Sequence, residues 1–341
     1  MKNLITILAF TTFFLASAFP QKDNHAVPAL TVINHLLTAH RYEFSALAKW
    51  KDKILLIPQD CKNVIDSIFM IDSTEIEKVL SRQDTTAAYS SFAIKNIRHA
   101  VENHSRVLYI GDVRIENYDG FEAAVVKKDT IFFTVEGETS FCYLIKGLID
   151  ADKKTVTLLE DTLQLPDTYG NIDNAGYESI AWLPGKDSLV CFFECNKDTV
   201  NAKALGCGSG LKKPLKPVRW STPLYFRLTD TYAINDSEMI GINHLFINKT
   251  YPRERDEYIE CEKLSNVENQ LNNGGNIDSC FTQIIKLLLT NGKLRWQPLA
   301  FISLNCRDNY EGIVAFKNGA LMIVDGEPGL NEGKLIYVSL K

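Results

Sequence analysis

One acidic pattern recurs five times along this 341-residue chain, and it constrains the fold more than any other feature. Each copy begins with a Glu, runs through an apolar segment to a polar turn, and returns through a second apolar segment that ends in a polar residue. The copies begin at Glu43, Glu122, Glu178, Glu238 and Glu311. Asp and Asn favour such turns, and β-branched and aromatic runs favour strands. Each copy therefore predicts a β-hairpin.

The spacing inside the copies is regular. The polar end follows the turn residue by seven positions in four copies and by five in the other: Asp52 to Gln59, Asp129 to Glu136, Asp187 to Glu194, Asn318 to Asp325, and Asn243 to Asn248. The gap from the leading Glu to the turn is an odd number in all five copies. Because side chains alternate between the two faces of a strand, shared parity predicts that the Glu residues share one face.

The repeat also closes on itself. Successive leading Glu residues lie 56 to 79 positions apart, and the path from Glu311 through the C-terminus and from Phe19 to Glu43 is 55 positions. Repeats of this size form solenoids or propellers, and the return to the start favours a propeller. We therefore predict an all-β, five-bladed β-propeller. The N-terminal segment ALTVINHLL would add an outer strand beside the C-terminal KLIYVSL and so close the ring. Six blades remain the alternative, because residues 106–116 could conceal another.

The N-terminus indicates export. Lys2 is followed by an apolar run from Leu4 to Leu15 and by a small-residue cleavage site at residues 16–18. This order is typical of a secretory signal peptide, and the run is too short for a membrane span. We predict a signal peptide at residues 1–18, a single propeller domain at residues 19–341, and a secreted or periplasmic location.

Composition narrows the function classes. The formal net charge is −5, and the chain has no Lys/Arg tract, which disfavours nucleic-acid binding. No later stretch is apolar enough for a transmembrane segment. Eight cysteines fit an oxidising compartment. Cys195 and Cys207 bracket a polar loop that they could staple, whereas Cys142 and Cys191 lie in apolar runs and could be buried free thiols. We expect a monomer.

Copies of the form FEAAVV, YESIAW and YEGIVAF resemble the strands of secreted propellers, namely the SdiA-regulated periplasmic and the esterase-like or phytase-like families. YIGD at residues 109–112 is similar to a further element of those families. The resemblance implies a metal, usually calcium, in the central channel. The dense acidic clusters of calcium phytases are absent here, so it does not extend to phytase activity.

The parity places two polar rings at one mouth of the predicted channel. The inner ring is Glu43, Glu122, Glu178, Glu238 and Glu311, and the companion ring is Gln59, Glu136, Glu194, Asn248 and Asp325. At roughly 5 Å, each pair of like charges costs about 3 kcal/mol in an effective dielectric near 20. Either the carboxyl pKa values rise or a cation binds among them. Oxygen ligands favour Ca²⁺ or Mg²⁺. We predict a calcium site formed by the acidic members of both rings, namely Glu43, Glu122, Glu136, Glu178, Glu194, Glu238, Glu311 and Asp325.

Several functions stay open at this point. The pocket could bind a small molecule or metal, or it could hydrolyse an ester or phosphoester with a metal and a Glu general base. In a non-catalytic scaffold, the Glu residues would only accept backbone N–H bonds between blades. A glycosidase using two ring carboxylates is a further alternative.

Overall fold

The computed structural model describes residues 30–35, 43–59, 67–137, 141–166, 176–194, 204–212, 214–222, 224, 227–245, 281–303, 309–325 and 333–340. The signal-peptide prediction lies outside these residues and stays a prediction. Within them, the chain is almost entirely β-strand. No helix in these ranges is long and apolar enough to cross a membrane.

The strands group into four-stranded antiparallel units. The described part of the chain starts with β1 (Leu30–His35). Unit 1 follows and consists of β2 (Phe44–Trp50), β3 (Lys53–Pro58), β4 (Ser67–Asp72), helix α1 (Ser73–Leu80) and β5 (Tyr89–Lys95). A three-stranded sheet follows, formed by β6 (Ile97–Glu102), β7 (Ser105–Ile110) and β8 (Val113–Glu116). Unit 2 is β9 (Tyr118–Lys127), β10 (Thr130–Gly137), β11 (Phe141–Asp150) and β12 (Thr155–Leu165).

Three further units complete the described chain. Unit 3 is β13 (Ser179–Leu183), a 3₁₀ turn at Pro184–Lys186, β14 (Ser188–Phe192), β15 (Ala204–Gly208) and β16 (Lys216–Trp220). Unit 4 is β17 (Arg227–Ala233), β18 (Glu238–Leu245), β19 (Phe281–Thr290) and β20 (Lys293–Ser303). Unit 5 is β21 (Asn309–Phe316), β22 (Gly319–Asp325) and β23 (Lys334–Ser339), and its outermost strand is β1.

The tight turns of the hairpins follow a shared rule. Lys51, Lys128 and Lys317 adopt positive φ angles of 54°, 56° and 49°, and Asp187 does so in unit 3 with 48°. Two-residue hairpin turns need a left-handed residue to match the twist of the strands. In three of these turns the Lys, not the neighbouring Asp or Asn, takes that conformation.

The first strands of the units form a closed ring. In order around it, β2 contacts β9, β9 contacts β13, β13 contacts β17, β17 contacts β21, and β21 contacts β2. The antiparallel pairing of β1 with β23 joins the two ends of the chain, so the predicted closure by the N-terminal strand is confirmed. The chain folds as a β-propeller.

The buried apolar residues lie between neighbouring units all the way around the ring. Five buried apolar clusters each combine residues from two neighbouring units, as with Ala48 and Ala124 between units 1 and 2, or Leu47 and Leu321 between units 5 and 1. No unit could bury both of its apolar faces alone, so stacking around the ring supplies the core. This explains why the apolar segments of the repeat come in pairs.

The three-stranded sheet β6–β8 contains residues 106–116, the segment behind the six-blade alternative. It packs against β9 and β12 of unit 2. The described ranges leave gaps, so the number of blades stays a prediction.

Candidate functional site

Six carboxyl groups lie at one end of the ring of first strands, and all are at least nine-tenths buried. They are Glu122, Glu136, Glu178, Glu194, Glu311 and Asp325, which we call the acidic pocket. The charges of Glu136, Glu178 and Glu311 each raise the pKa of Glu122, and Asp325 raises that of Glu311. Each of the six groups therefore lies within electrostatic reach of at least one other.

An arginine lies inside the acidic pocket. Nη2 of Arg227, at the start of β17, donates to Oε1 of Glu178 at 2.6 Å, and its Nε donates to Oε2 of Glu194 at 2.5 Å. All three side chains are less than one-tenth exposed. The guanidinium compensates part of the negative charge that the sequence predicts at this mouth.

The two carboxylate oxygens of Glu178 differ in their contacts. Its Oε2 is buried and has no hydrogen-bond partner in the part of the chain that the structure describes. Buried carboxylate oxygens are normally satisfied, and an exception calls for an explanation. The free oxygen lies on a carboxylate whose other oxygen is paired with Arg227.

Burial raises the pKa of several of these carboxyls. The pKa of Glu136 rises from 4.5 to about 8, first because the group is buried and then because Glu178 is nearby. Burial also raises the pKa of Glu311 to about 8, although Arg227 opposes the change. Burial is again the main reason why the pKa values of Glu122 and Glu194 lie well above the ordinary value. The pKa values of Glu136 and Glu311 lie above neutral pH, so these two groups hold protons there.

Among the described residues, the hydrogen-bond partner of Glu122 is a neutral amide. The amide Nε2 of Gln59, at the end of the unit 1 hairpin, lies 3.3 and 3.4 Å from its two carboxyl oxygens. Gln59 thus occupies the companion-ring position that the spacing predicts. Asn309 similarly donates its amide to Oε1 of Glu311.

Two buried aspartates accept hydrogen bonds from backbone N–H groups of a neighbouring unit. Oδ1 of Asp325 accepts the N–H of Phe44 at 3.1 Å, and Oδ2 of Asp230 accepts the N–H of Ile313 at 2.8 Å. The first bond joins unit 5 to unit 1, and the second joins unit 4 to unit 5. These two aspartates therefore have the structural role, acceptance of backbone N–H bonds between blades, that the sequence suggests for the Glu residues.

The structure corrects the placement of Glu238. This residue begins β18, the second strand of unit 4, and follows the turn after β17, so it lies at the end of the unit opposite Arg227. It is about one-third exposed and pairs with Lys286 at 2.6 Å. The sequence alignment of unit 4 is wrong because its inner strand, RLTDTYA, has no leading Glu and the second strand matches the pattern instead.

Bulges in the first strands show which residues occupy corresponding positions in different units. Pairing with the second strand is interrupted around Ser45, Glu122, Thr229 and Glu311 in units 1, 2, 4 and 5. Ser45 and Thr229 donate to the carbonyls of Phe121 and Tyr310 on the next first strand.

These equivalences complete the placement of the predicted rings. Ser45, not Glu43, occupies in unit 1 the position that Glu122 has in unit 2. Glu43 lies just before β2, is half-buried, and accepts the Gln59 N–H at its backbone carbonyl. Asn248 lies outside the described residues.

The acidic pocket does not fit a calcium site in its described part. No group of three or more His, Cys, Asp or Glu side chains among the described residues is arranged to hold a metal ion. Arg227 occupies the space between Glu178 and Glu194, and a calcium ion would need several oxygens to converge without a competing cation. The calcium prediction stays a prediction from the sequence, and no chemical step below uses a metal.

The cysteines are partly as expected. Cys142 and Cys191 are buried free thiols, as predicted, but Cys207 is also a buried free thiol and does not staple a loop. Cys142 lies beside the acidic pocket, opposite Glu136 in the β10–β11 pairing, and its Sγ accepts the N–H of Tyr177 at 3.3 Å.

No protein-family model and no curated protein matches this chain. Among solved structures, it is similar to a GH43 β-xylosidase/α-arabinofuranosidase from a compost microbial metagenome, with 8% identity and a TM-score of 0.47 over 91% of this chain and 95% of that one. For a GH43_1 enzyme from Xanthomonas citri, the identity is 8% and the TM-score 0.46 over 91% of this chain and 90% of that one. For a gluconolactonase from Xanthomonas campestris, the identity is 10% and the TM-score 0.35 over 92% of this chain and 89% of that one. Similarity at this level says nothing about the chemistry of the pocket.

Proposed function

We propose that this protein hydrolyses glycosidic bonds in the acidic pocket, with Glu136 as the proton donor and Glu178 as the ionised carboxylate. The observation that carries the proposal is the Arg227–Glu178 pair. It compensates the charge of Glu178 through one oxygen and leaves the other oxygen buried without a hydrogen-bond partner among the described residues.

The two carboxyls differ in the way that glycoside hydrolysis requires. Burial and the charge of Glu178 raise the pKa of Glu136 to about 8, so that Glu136 carries a proton at neutral pH. Glu178 instead has a guanidinium beside it. Glycosidases use one protonated and one ionised carboxyl on either side of the scissile bond, and opposite environments are the mark of such a pair.

The reaction balances with these two groups and water. Glu136 gives its proton to the glycosidic oxygen as the bond from that oxygen to the anomeric carbon breaks. The free oxygen of Glu178 either attacks the anomeric carbon or takes a proton from the water that attacks it. If Glu178 attacks, water then displaces it from the sugar and gives its proton to Glu136, which restores both groups. If Glu178 takes the proton of the attacking water, that proton is exchanged to solvent and Glu136 is reprotonated from solvent.

The other functions that the sequence leaves open have less support. The scaffold interpretation is supported at Asp230 and Asp325, whose backbone hydrogen bonds join units, but it does not explain the free oxygen of Glu178. Metal-dependent hydrolysis of an ester or phosphoester lacks a fitting donor group in the described residues. Export, a monomeric state and a closer relationship to SdiA-regulated or phytase-like propellers stay predictions from the sequence.

The test is a screen of aryl glycosides with the mature protein and three variants. We expect Glu178→Gln and Glu136→Gln to lower kcat/KM by about 10² or more on any substrate that the wild type cleaves. Glu238→Gln, a control on the exposed copy of the repeat, should retain wild-type activity. Activity that is unchanged in Glu178→Gln, or a well-folded wild type that cleaves no glycoside in a broad panel, contradicts the proposal.

A further inference from the structure

Backbone hydrogen bonds hold Glu194 between units 3 and 4. Its N–H donates to the carbonyl of Gly176 at 3.0 Å, two residues before Glu178. Its carbonyl accepts the N–H of Leu228 at 3.0 Å, one residue after Arg227. The same residue is therefore bonded to both of the segments that the Arg227–Glu178 contact joins.

The backbone of Arg227 is also held. Its carbonyl accepts the side-chain amide of Asn243 at 3.2 Å, and Oδ1 of Asn243 accepts the amide of Gln283 at 2.8 Å. Both amide side chains are buried. With its backbone fixed in this way, the guanidinium changes its contacts by rotation about its own side-chain bonds.

The guanidinium divides its hydrogen bonds between two carboxyl groups. Nε donates to Oε2 of Glu194 at 2.5 Å, and Nη2 donates to Oε1 of Glu178 at 2.6 Å. An arginine beside a carboxylate frequently forms two parallel bonds and so covers both oxygens. Here the bond to Glu194 engages Nε, and Oε2 of Glu178 stays buried without a hydrogen-bond partner among the described residues.

We propose that Glu194 is a positioning residue, which limits Arg227 to one oxygen of Glu178 and so keeps the other oxygen available for reaction. The catalytic part of this inference rests on the proposed function, in which that oxygen attacks the anomeric carbon or takes a proton from water. The geometrical part does not, because the contacts of Arg227 can be observed whether or not any substrate is cleaved.

Two variants separate the reach of the Glu194 side chain from its charge. Glu194→Gln keeps an acceptor oxygen on a side chain of the same length and removes the charge. Glu194→Asp keeps the charge on a shorter side chain, which withdraws the acceptor from Nε of Arg227. If the position of the acceptor is what matters, the neutral variant should behave like the wild type and the charged variant should not.

Steady-state kinetics on any glycoside that the wild type cleaves is the first measurement. In Glu194→Asp we expect kcat to fall by about 10², because small misplacements of reacting groups can cost that much, with KM unchanged. In Glu194→Gln the fall should be less than about tenfold, since the acceptor keeps its place. Glu238→Gln, on the exposed copy of the repeat, is the control and should change neither constant.

Crystal structures of the two variants are the second measurement, which does not depend on activity. In Glu194→Asp, two nitrogens of Arg227 should donate to Glu178, one to each oxygen. In Glu194→Gln, the contacts of the wild type should remain. Should Glu194→Asp not fold, Glu194→Gln still decides: a fall in kcat as large as that of Glu178→Gln overturns the positioning role.

The outcomes separate this inference from the proposed function. Wild-type kcat in Glu194→Asp, or equal losses in the two variants, overturns the positioning role and leaves the proposed function in place when cleavage depends on Glu178. Unchanged contacts of Arg227 in Glu194→Asp overturn the inference irrespective of activity. Pairing of Arg227 with both oxygens of Glu178 in that variant, in a protein that cleaves no glycoside, confirms the geometrical part and contradicts the proposed function.

Discussion

Arg227 donates to Oε1 of Glu178 at 2.6 Å, and the opposite oxygen of that carboxylate is left buried without a partner among the described residues. The contact joins the first strand of unit 4 to the residue immediately before β13, the first strand of unit 3. It divides a group of like charges into a compensated side and an uncompensated side. The proposed chemistry depends on that division.

Replacement of Arg227 by Met should destabilise the protein by about 3 kcal/mol or more at pH 7, because Glu178 and Glu194 would lose their buried counter-ion. The measurement is denaturant unfolding. Arg114→Met is the control, since Arg114 is partly exposed and solvent screens its pairing with Glu102. Equal losses in the two variants would show that Arg227 does not hold the acidic pocket together.

The raised pKa of Glu136 predicts a pH dependence of stability. Its pKa is about 8 in the folded protein against 4.5 ordinarily, so between these values the folded state keeps a proton that the unfolded state loses. The free energy of unfolding should therefore fall as pH rises through this window, by up to about 1.4 kcal/mol per pH unit for this group.

Glu136→Gln should remove that contribution. The measurement is the unfolding free energy at several pH values from 5 to 8, with Glu238→Gln as the control. The curve of Glu136→Gln should be flatter than that of the wild type. Parallel curves for the two proteins would mean that Glu136 is ionised in the folded state.

Gly176 gives a test of the position of Glu136. An added Cβ at Gly176 would lie 2.8 Å from Oε1 of Glu136 and 3.1 Å from Sγ of Cys142, so Gly176→Ala should displace the carboxyl. Small misplacements of reacting groups can cost about 10² in rate, and we expect a fall in kcat of that order. Gly208→Ala in the same unit is the control, because nothing lies within 4 Å of its added Cβ. Full activity in Gly176→Ala would remove Glu136 from the reaction.

The calcium prediction has a direct thermal test. A calcium site occupied at 100 times its Kd would stabilise the folded protein by about 2.7 kcal/mol, and a chelator would remove this. Because Arg227 already compensates Glu178 and Glu194, we expect the same Tm with calcium and with excess chelator. A Tm several degrees lower in chelator, starting from calcium-loaded protein, would restore the calcium site.

Much of this site could be predicted from spacing alone. The constant interval from turn to polar end locates Glu136, Glu194 and Asp325, since a hairpin fixes which residues share its far end. Glu122, Glu178 and Glu311 follow from the parity of the first strands. Closure of the ring follows from the repeat length and the two terminal segments.

The rest depends on contacts that repeat spacing does not encode. At the position of Glu122 in unit 2, unit 4 has Thr229. A search for the acidic pattern therefore passes over β17 and its Arg227, and selects Glu238 on the next strand. The contacts of β17 with β13 and β21 identify it as the first strand of unit 4. The irregular spacing of the fourth copy was the available signal.

Dependence on the leaving group tests the role of Glu136, and with it the central claim, most directly. A substrate with a dinitrophenol leaving group needs no proton donor, whereas one with a sugar or alkyl leaving group does. In Glu136→Gln, kcat/KM should fall by about 10² to 10⁴ for the poor leaving group and change little for dinitrophenol. Equal losses on both substrates, or no loss on either, would contradict the assignment of Glu136 as the acid of a glycoside-hydrolysing pocket.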